Sequence, residues 1–200
     1  MTATVDYYFA TVSPWAYLGH ARFVAMTQAA GATVRVKPVD YGEIFPVSGG
    51  LPLAKRAPQR QAYRLLELKR FSEFLGQPIV LQPKFFPVNP DDAAKLIIAV
   101  DMHDGSDAAM RIAGRILRGV WVDERNIADA RDLAKMLEAE GLPSQRLDDS
   151  MSQAVHQRYE QDSQRAIAAG VFGAPSYVVE GEIFWGQDRL DFLQRRLAQG

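Results

Sequence analysis

The chain has 200 residues, 48% hydrophobic and 24% charged, an ordinary globular composition with enough length for one sizeable core or two small lobes. Lys+Arg 23 against Asp+Glu 24 leaves a net charge of −1, with no basic excess of the kind that binds nucleic acid. There is no cysteine, which excludes structural disulfides, thiolate metal sites, a Cys nucleophile and any dithiol redox chemistry carried by the protein itself.

The N-terminal run MTATVDYYFATVSPW has no basic cluster followed by a long apolar segment, and no apolar stretch approaches the ~20 residues that span a bilayer. A cytoplasmic location is the expectation. Thr4 to Phe9 is rich in β-branched and aromatic residues and predicts a strand. After a short polar break, Pro14 opens a helical pattern that Gly31 stops. Thr33 to Lys37 alternates with the strand period and ends at Pro38, so the first forty residues predict a βαβ unit with a right-handed crossover.

From Tyr41 the character changes. Pro46, Gly49, Gly50, Pro52 and Pro58 predict a long irregular connection. Helical patterns follow over Gln59 to Leu75, from Pro90 behind Asn89, over Ser106 to Val122, over Ala128 to Glu140, and from Asp149 to Ala169. Ser176 to Val179 and Glu182 to Trp185 then predict two short strands around a Glu180-Gly181 turn, with a terminal helix from Gln187 to Ala198. Without its helical middle the order is βαβ then ββα, the thioredoxin order. The expectation is an α/β fold: a discontinuous thioredoxin-like domain of residues 1–45 and 170–200 around an all-helical insertion of residues 46–169.

Three short motifs could carry chemistry. Ser13-Pro14-Trp15-Ala16 occupies the turn before the first helix, where free backbone N–H groups and the helix dipole favour an anion by roughly 0.3–2 kcal/mol. Ser13 reads equally as a plain N-cap, and the two roles use one geometry. In VFGAPS, residues 171–176, Pro175 is an ordinary loop proline or a cis proline that leaves the Ala174 backbone open to an extended ligand. In Trp185-Gly186-Gln187-Asp188-Arg189, Gln187 or Asp188 either caps the last helix or meets a ligand.

Taken in order, Ser13-Pro14-Trp15-Ala16-Tyr17-Leu18, Gly170 to Ser176 and Phe184 to Leu190 resemble the 2-hydroxychromene-2-carboxylate isomerase family, over essentially the whole chain and including Phe86-Pro87-Val88-Asn89. That family belongs to the thioredoxin-like group that also holds the kappa-class glutathione transferases and the DsbA oxidoreductases. The resemblance implies glutathione as cofactor. Ser13 matches the serine that hydrogen-bonds the glutathione sulfur. Ala174 matches the residue whose backbone pairs with the cysteinyl part, Pro175 is the cis proline, and Asp188 holds the γ-glutamyl end with Gln187 and Arg189 beside it. Arg60 stands where the family usually has a Lys for the glycyl carboxylate, which keeps the charge and adds a carboxylate-matching fork. Val47-Ser48-Gly49-Gly50 departs from a loop that often carries an Asn.

The activity so implied is conversion of 2-hydroxychromene-2-carboxylate to trans-o-hydroxybenzylidenepyruvate, in naphthalene-type aromatic catabolism, by reversible addition of the glutathione thiolate; a homodimer is implied too. A free thiol has a pKa of ~8.5, and a helix N-terminus with a hydroxyl donor lowers it. Lys55, Arg56 and Lys84 are candidate cations for the substrate carboxylate. Trp15, Tyr17, Phe45, Phe85 and Phe86 are candidate walls or core residues. The alternatives are a kappa-like transferase and a redox-inactive binding module that takes peptides in the proline groove. His20, His103 and His156 are scattered and predict no metal site, and Asp91-Asp92 and Asp148-Asp149 read as first-turn helix charges.

Overall fold

The computed structural model describes residues 2–199. Its sheet is built from β1 (Thr4–Phe9), β2 (Thr33–Pro38), β3 (Ser176–Val179) and β4 (Glu182–Trp185), in the order β2-β1-β3-β4. β2 runs parallel to β1, with Val5 opposite Val34, because helix α1 (Pro14–Ala29) crosses over between them. β3 is antiparallel to β1 with Tyr7 opposite Tyr177, and β4 is antiparallel to β3. The β3–β4 turn has positive φ at both Glu180 (49°) and Gly181 (86°), the geometry that matches the twist of a tight hairpin.

The helical middle begins earlier than the proline and glycine density predicts. Tyr41–Ser48 forms α2, in place of the expected irregular connection, because Asp40 caps it by accepting from the Gly42 N–H at 2.6 Å and Gly49 closes it in the left-handed region. Pro46 sits inside this short helix at the cost of one backbone bond. A 3-10 turn at Leu53–Lys55 leads to α3 (Pro58–Leu75). Then follow α4 (Asp91–Asp104), α5 (Ser106–Trp121) and α6 (Ala130–Ala139). The single helix expected over Asp149 to Ala169 is two, α7 (Arg146–Ser150) and α8 (Gln153–Ala168), because Ser152 turns out of the helix and caps the Val155 N–H at 3.4 Å. A 3-10 turn, Gln187–Arg189, and α9 (Leu190–Ala198) complete the chain.

Strand alternation divides the sheet into two buried faces. Val5, Tyr7, Phe9, Val36 and Tyr177 point to the side of α1 and share one core with Ile97 of α4 and Ile112 and Ile116 of α5. Tyr7 and Tyr177 stack at 5.3 Å with Phe23 of α1 against both. On the other face Tyr8, Val39 and Val178 pack with Ile44 of α2 and Ala166 of α8. His20 belongs to this core. Its Nε2 donates to the Met110 carbonyl at 2.9 Å, which leaves Nδ1 to accept from the Tyr7 hydroxyl at 3.3 Å, and burial pushes its pKa down to about 4.

Candidate active site

β1 and α1 bring the first motif to the end of the sheet. Ser13 is the N-cap of α1, 8% exposed, and its Oγ accepts from the Ala16 N–H at 3.2 Å. Pro14 at the first helical position has no N–H to satisfy, so the cap needs only one side-chain bond. A hydroxyl has one donor and two acceptor positions, so a capping Ser13 keeps its O–H free to donate to an anion in front of the helix. The cap is the observed role of Ser13, and its geometry is compatible with a donated O–H.

The second motif is pinned from behind. The Gly173 carbonyl accepts from both the Tyr41 hydroxyl (2.9 Å) and the Ser176 hydroxyl (2.7 Å). The Trp185 indole lies where a Cβ on Gly173 would sit, so any larger residue here would displace it. The Ala174-Pro175 peptide is cis. The Pro175 carbonyl accepts from the Gly186 N–H at 2.9 Å, which ties the second motif to the third. The β1–β3 pairing stops at Ser176, and among the described residues no partner meets the Ala174 N–H or carbonyl. That leaves one residue of unpaired backbone at the end of the strand pairing.

The third motif divides. Gly186, with φ 103°, starts the 3-10 turn, and Asp188 and Arg189 stay at the surface, paired at 2.7 Å. Such exposed pairs contribute about 0–1 kcal/mol, so a ligand's own charges can open this one at little cost. Gln187 departs from the expectation of a ligand contact. It is 2% exposed, its side-chain carbonyl accepts from Arg22 of α1, and its backbone carbonyl accepts from the same guanidinium at 3.0 Å. The side chain is turned into the fold because Gly19 lets α1 approach it closely.

Arg60 lies in the first turn of α3, exposed, and no carboxylate pairs with it among the described residues. α3 packs beside α1 through Phe71, which meets Trp15 edge-on at 5.8 Å. Val47 and Ser48 are the last turn of α2, and Gly50 folds back against the Phe45 ring. Of the remaining cations, Arg56 donates its Nε–H to the Leu51 carbonyl at 2.8 Å and Lys84 lies over the Phe85 ring at 5.0 Å. Sequence reasoning missed Arg64, one turn after Arg60 on the same face. The four-residue spacing of Arg56, Arg60 and Arg64 was the available signal. A recess of about 160 Å³ between α5 and α6 shares no residue with these motifs. Among the described residues no cluster could hold a metal ion, and no helix is long and apolar enough to cross a membrane.

Residues 4–198 match the model of the DSBA-like thioredoxin domain. The chain belongs to that family. Within it, the chain is 29% identical to a 2-hydroxychromene-2-carboxylate isomerase of Sphingobium xenophagum over 199 residues, 98% of this chain and 99% of that protein. A solved structure of 2-hydroxychromene-2-carboxylate isomerase superposes with a TM-score of 0.81 at 26% identity, covering 98% of this chain and 95% of that one. The cytosolic disulfide reductase DsbM from Pseudomonas aeruginosa, solved with GSH, shares the fold at 19% identity and a TM-score of 0.70, covering 98% and 99%. Disulfide chemistry does not transfer to a chain without cysteine.

Proposed function

We propose that this DSBA-like protein is a glutathione-dependent isomerase acting on 2-hydroxychromene-2-carboxylate or a near relative of it. The observation that carries the reading is Ser13 at the N-cap of α1, in the place where a dithiol protein of this fold would have its cysteine, with its O–H free to donate.

The groups around Ser13 fit glutathione by their chemistry. The open backbone of Ala174 suits the cysteinyl peptide, Arg60 supplies a cation for the glycyl carboxylate, and Asp188 with Arg189 offers opposite charges to the ammonium and carboxylate of the γ-glutamyl end. Gln187 serves from behind, holding the 3-10 turn against α1 through Arg22. When bound, glutathione supplies the thiolate whose reversible addition to the substrate's conjugated double bond allows rotation and then leaves. Ser13 and the N-terminal dipole of α1 stabilise the negative sulfur, so that it is ionised near neutral pH. The relatives named isomerases support isomerisation, with glutathione recycled, over release of a conjugate. The partner expected is a second copy of the chain.

The test follows the ultraviolet absorbance of 2-hydroxychromene-2-carboxylate with the protein, with and without glutathione. A change that requires glutathione and leaves its concentration constant is expected. Stoichiometric loss of glutathione makes the protein a kappa-like transferase instead, and no change with either addition overturns the reading.

A further inference from the structure

Arg64 stands out among the cations of α3. It lies on the inward face of α3, one turn after Arg60 and one turn before Leu68, the buried residue of that helix. Its guanidinium sits 5.6 Å from the centroids of both Phe86 and Trp121, which pack against each other at 4.9 Å. It is half-buried, and among the described residues it has no hydrogen-bond acceptor and no carboxylate within ion-pair distance. Among the described residues, the neighbours of this rigid fork of five N–H donors are the two aromatic faces. Burial and the neighbouring Arg56 push its pKa down to about 10, so it remains charged at neutral pH. Beneath it the Trp121 indole N–H is buried and unpartnered.

Two routes place this cation beside the Ser13 helix. Phe86 belongs to the strap between α3 and α4, and four residues on, the Pro90 carbonyl accepts from the hydroxyl of Thr11, two residues before Ser13. Along α3, Phe71 is two turns from Arg64 on the same face and meets Trp15, two residues after Ser13. Arg64 thus lies on the face of α3 that also carries Phe71 toward α1, with the Phe86 and Trp121 rings around it. A planar aromatic carboxylate would satisfy both properties, its carboxylate meeting the fork and its ring meeting Phe86.

We propose that Arg64 is the specificity residue that receives the substrate's carboxylate, in preference to Lys55, Arg56 or Lys84. The proposal rests on the isomerase reading for the substrate's identity but not for its test. A glutathione-free binding measurement separates the two: titration calorimetry with the non-reacting trans-2-hydroxycinnamate and with its uncharged amide. The wild-type protein is expected to prefer the carboxylate at least tenfold. Arg64→Met is expected to lose at least tenfold in carboxylate affinity while leaving the amide and glutathione unchanged, and Arg64→Lys to fall between. Equal binding of acid and amide by the wild type, no binding of either, or unchanged carboxylate affinity in Arg64→Met overturns the proposal. If Arg64→Met fails to fold by near-ultraviolet circular dichroism, Arg64→Lys decides by the same criterion, with unchanged affinity counting against. Failure of the isomerase reading shows separately, as a wild type that binds the cinnamate through Arg64 but turns over no chromene.

Discussion

Asp162 of α8 reaches across to Lys37 of β2 and holds its ammonium at 3.2 Å, where the carboxylate is fully buried and the lysine 5% exposed. This pair fastens α8 to the face of the sheet opposite α1, and with it the segment that leads from α8 to Ala174 and Pro175. Asp162 also accepts from Arg158 and from Arg165 at 3.1 Å, so its charge is met from three sides.

Removing one partner of a buried pair is expensive because the other stays behind uncompensated. Asp162→Ala is expected to lower the unfolding free energy by about 3–5 kcal/mol. Lys37→Met should cost less, since Asp162 keeps both arginines. Urea unfolding of the two variants checks the order, and equal losses would contradict it.

Ser13 caps α1, and the proposed mechanism asks the same oxygen to donate to the thiolate; substitutions separate the two roles. Ser13→Ala loses both, with a cap cost of about 1 kcal/mol, or roughly 2–4 °C in melting temperature for a chain of this size. Ser13→Asp keeps the cap and sets a negative charge against the thiolate. It should melt near the wild type yet lose at least 100-fold in kcat. Full activity in either variant would remove Ser13 from the mechanism.

Arg60→Ala should raise the glutathione Kd by roughly 10- to 100-fold, the loss of one charge-assisted bond worth about 1.5–3 kcal/mol. Arg60→Lys should recover most of it. Calorimetric titration with glutathione is the measurement, and an unchanged Kd would give the glycyl carboxylate to another residue.

Folding stability should fall on acidification because of His20. Its folded pKa, pushed down to about 4 by burial, lies below the unfolded value of ~6.5, so the unfolded chain binds the proton first. The stabilisation from a neutral His20 is complete above pH ~6.5 and is lost as pH falls toward 4, on the order of 3 kcal/mol in all. His20→Gln should flatten that part of the profile, as read from urea midpoints between pH 7 and 4. An unchanged slope would place the titration elsewhere.

Much of the architecture was legible in the chain. The β-branched and aromatic content of Thr4–Phe9, the Pro14 start and Gly31 stop of α1, and the Glu180-Gly181 turn are local signals, and each element stands where its residues predict. α2 and the α7–α8 break were misread because a single capping side chain, Asp40 or Ser152, outweighed the surrounding composition. Periodicity cannot register one hydrogen bond.

The sequence by itself determined that no thiol of this protein could react, and that Ser13, Pro175 and Asp188 lie at three places a thioredoxin-like order would bring near one end of a sheet. Only the tertiary structure decided which side chains face that end. It turned Gln187 inward onto Arg22 and, among the described residues, left the Ala174 backbone unpartnered and set Arg64 over Phe86 and Trp121 without a carboxylate. The physical reason is that a residue's type and spacing fix its helix face, whereas its partner is set by elements dozens of residues away that pack against that face.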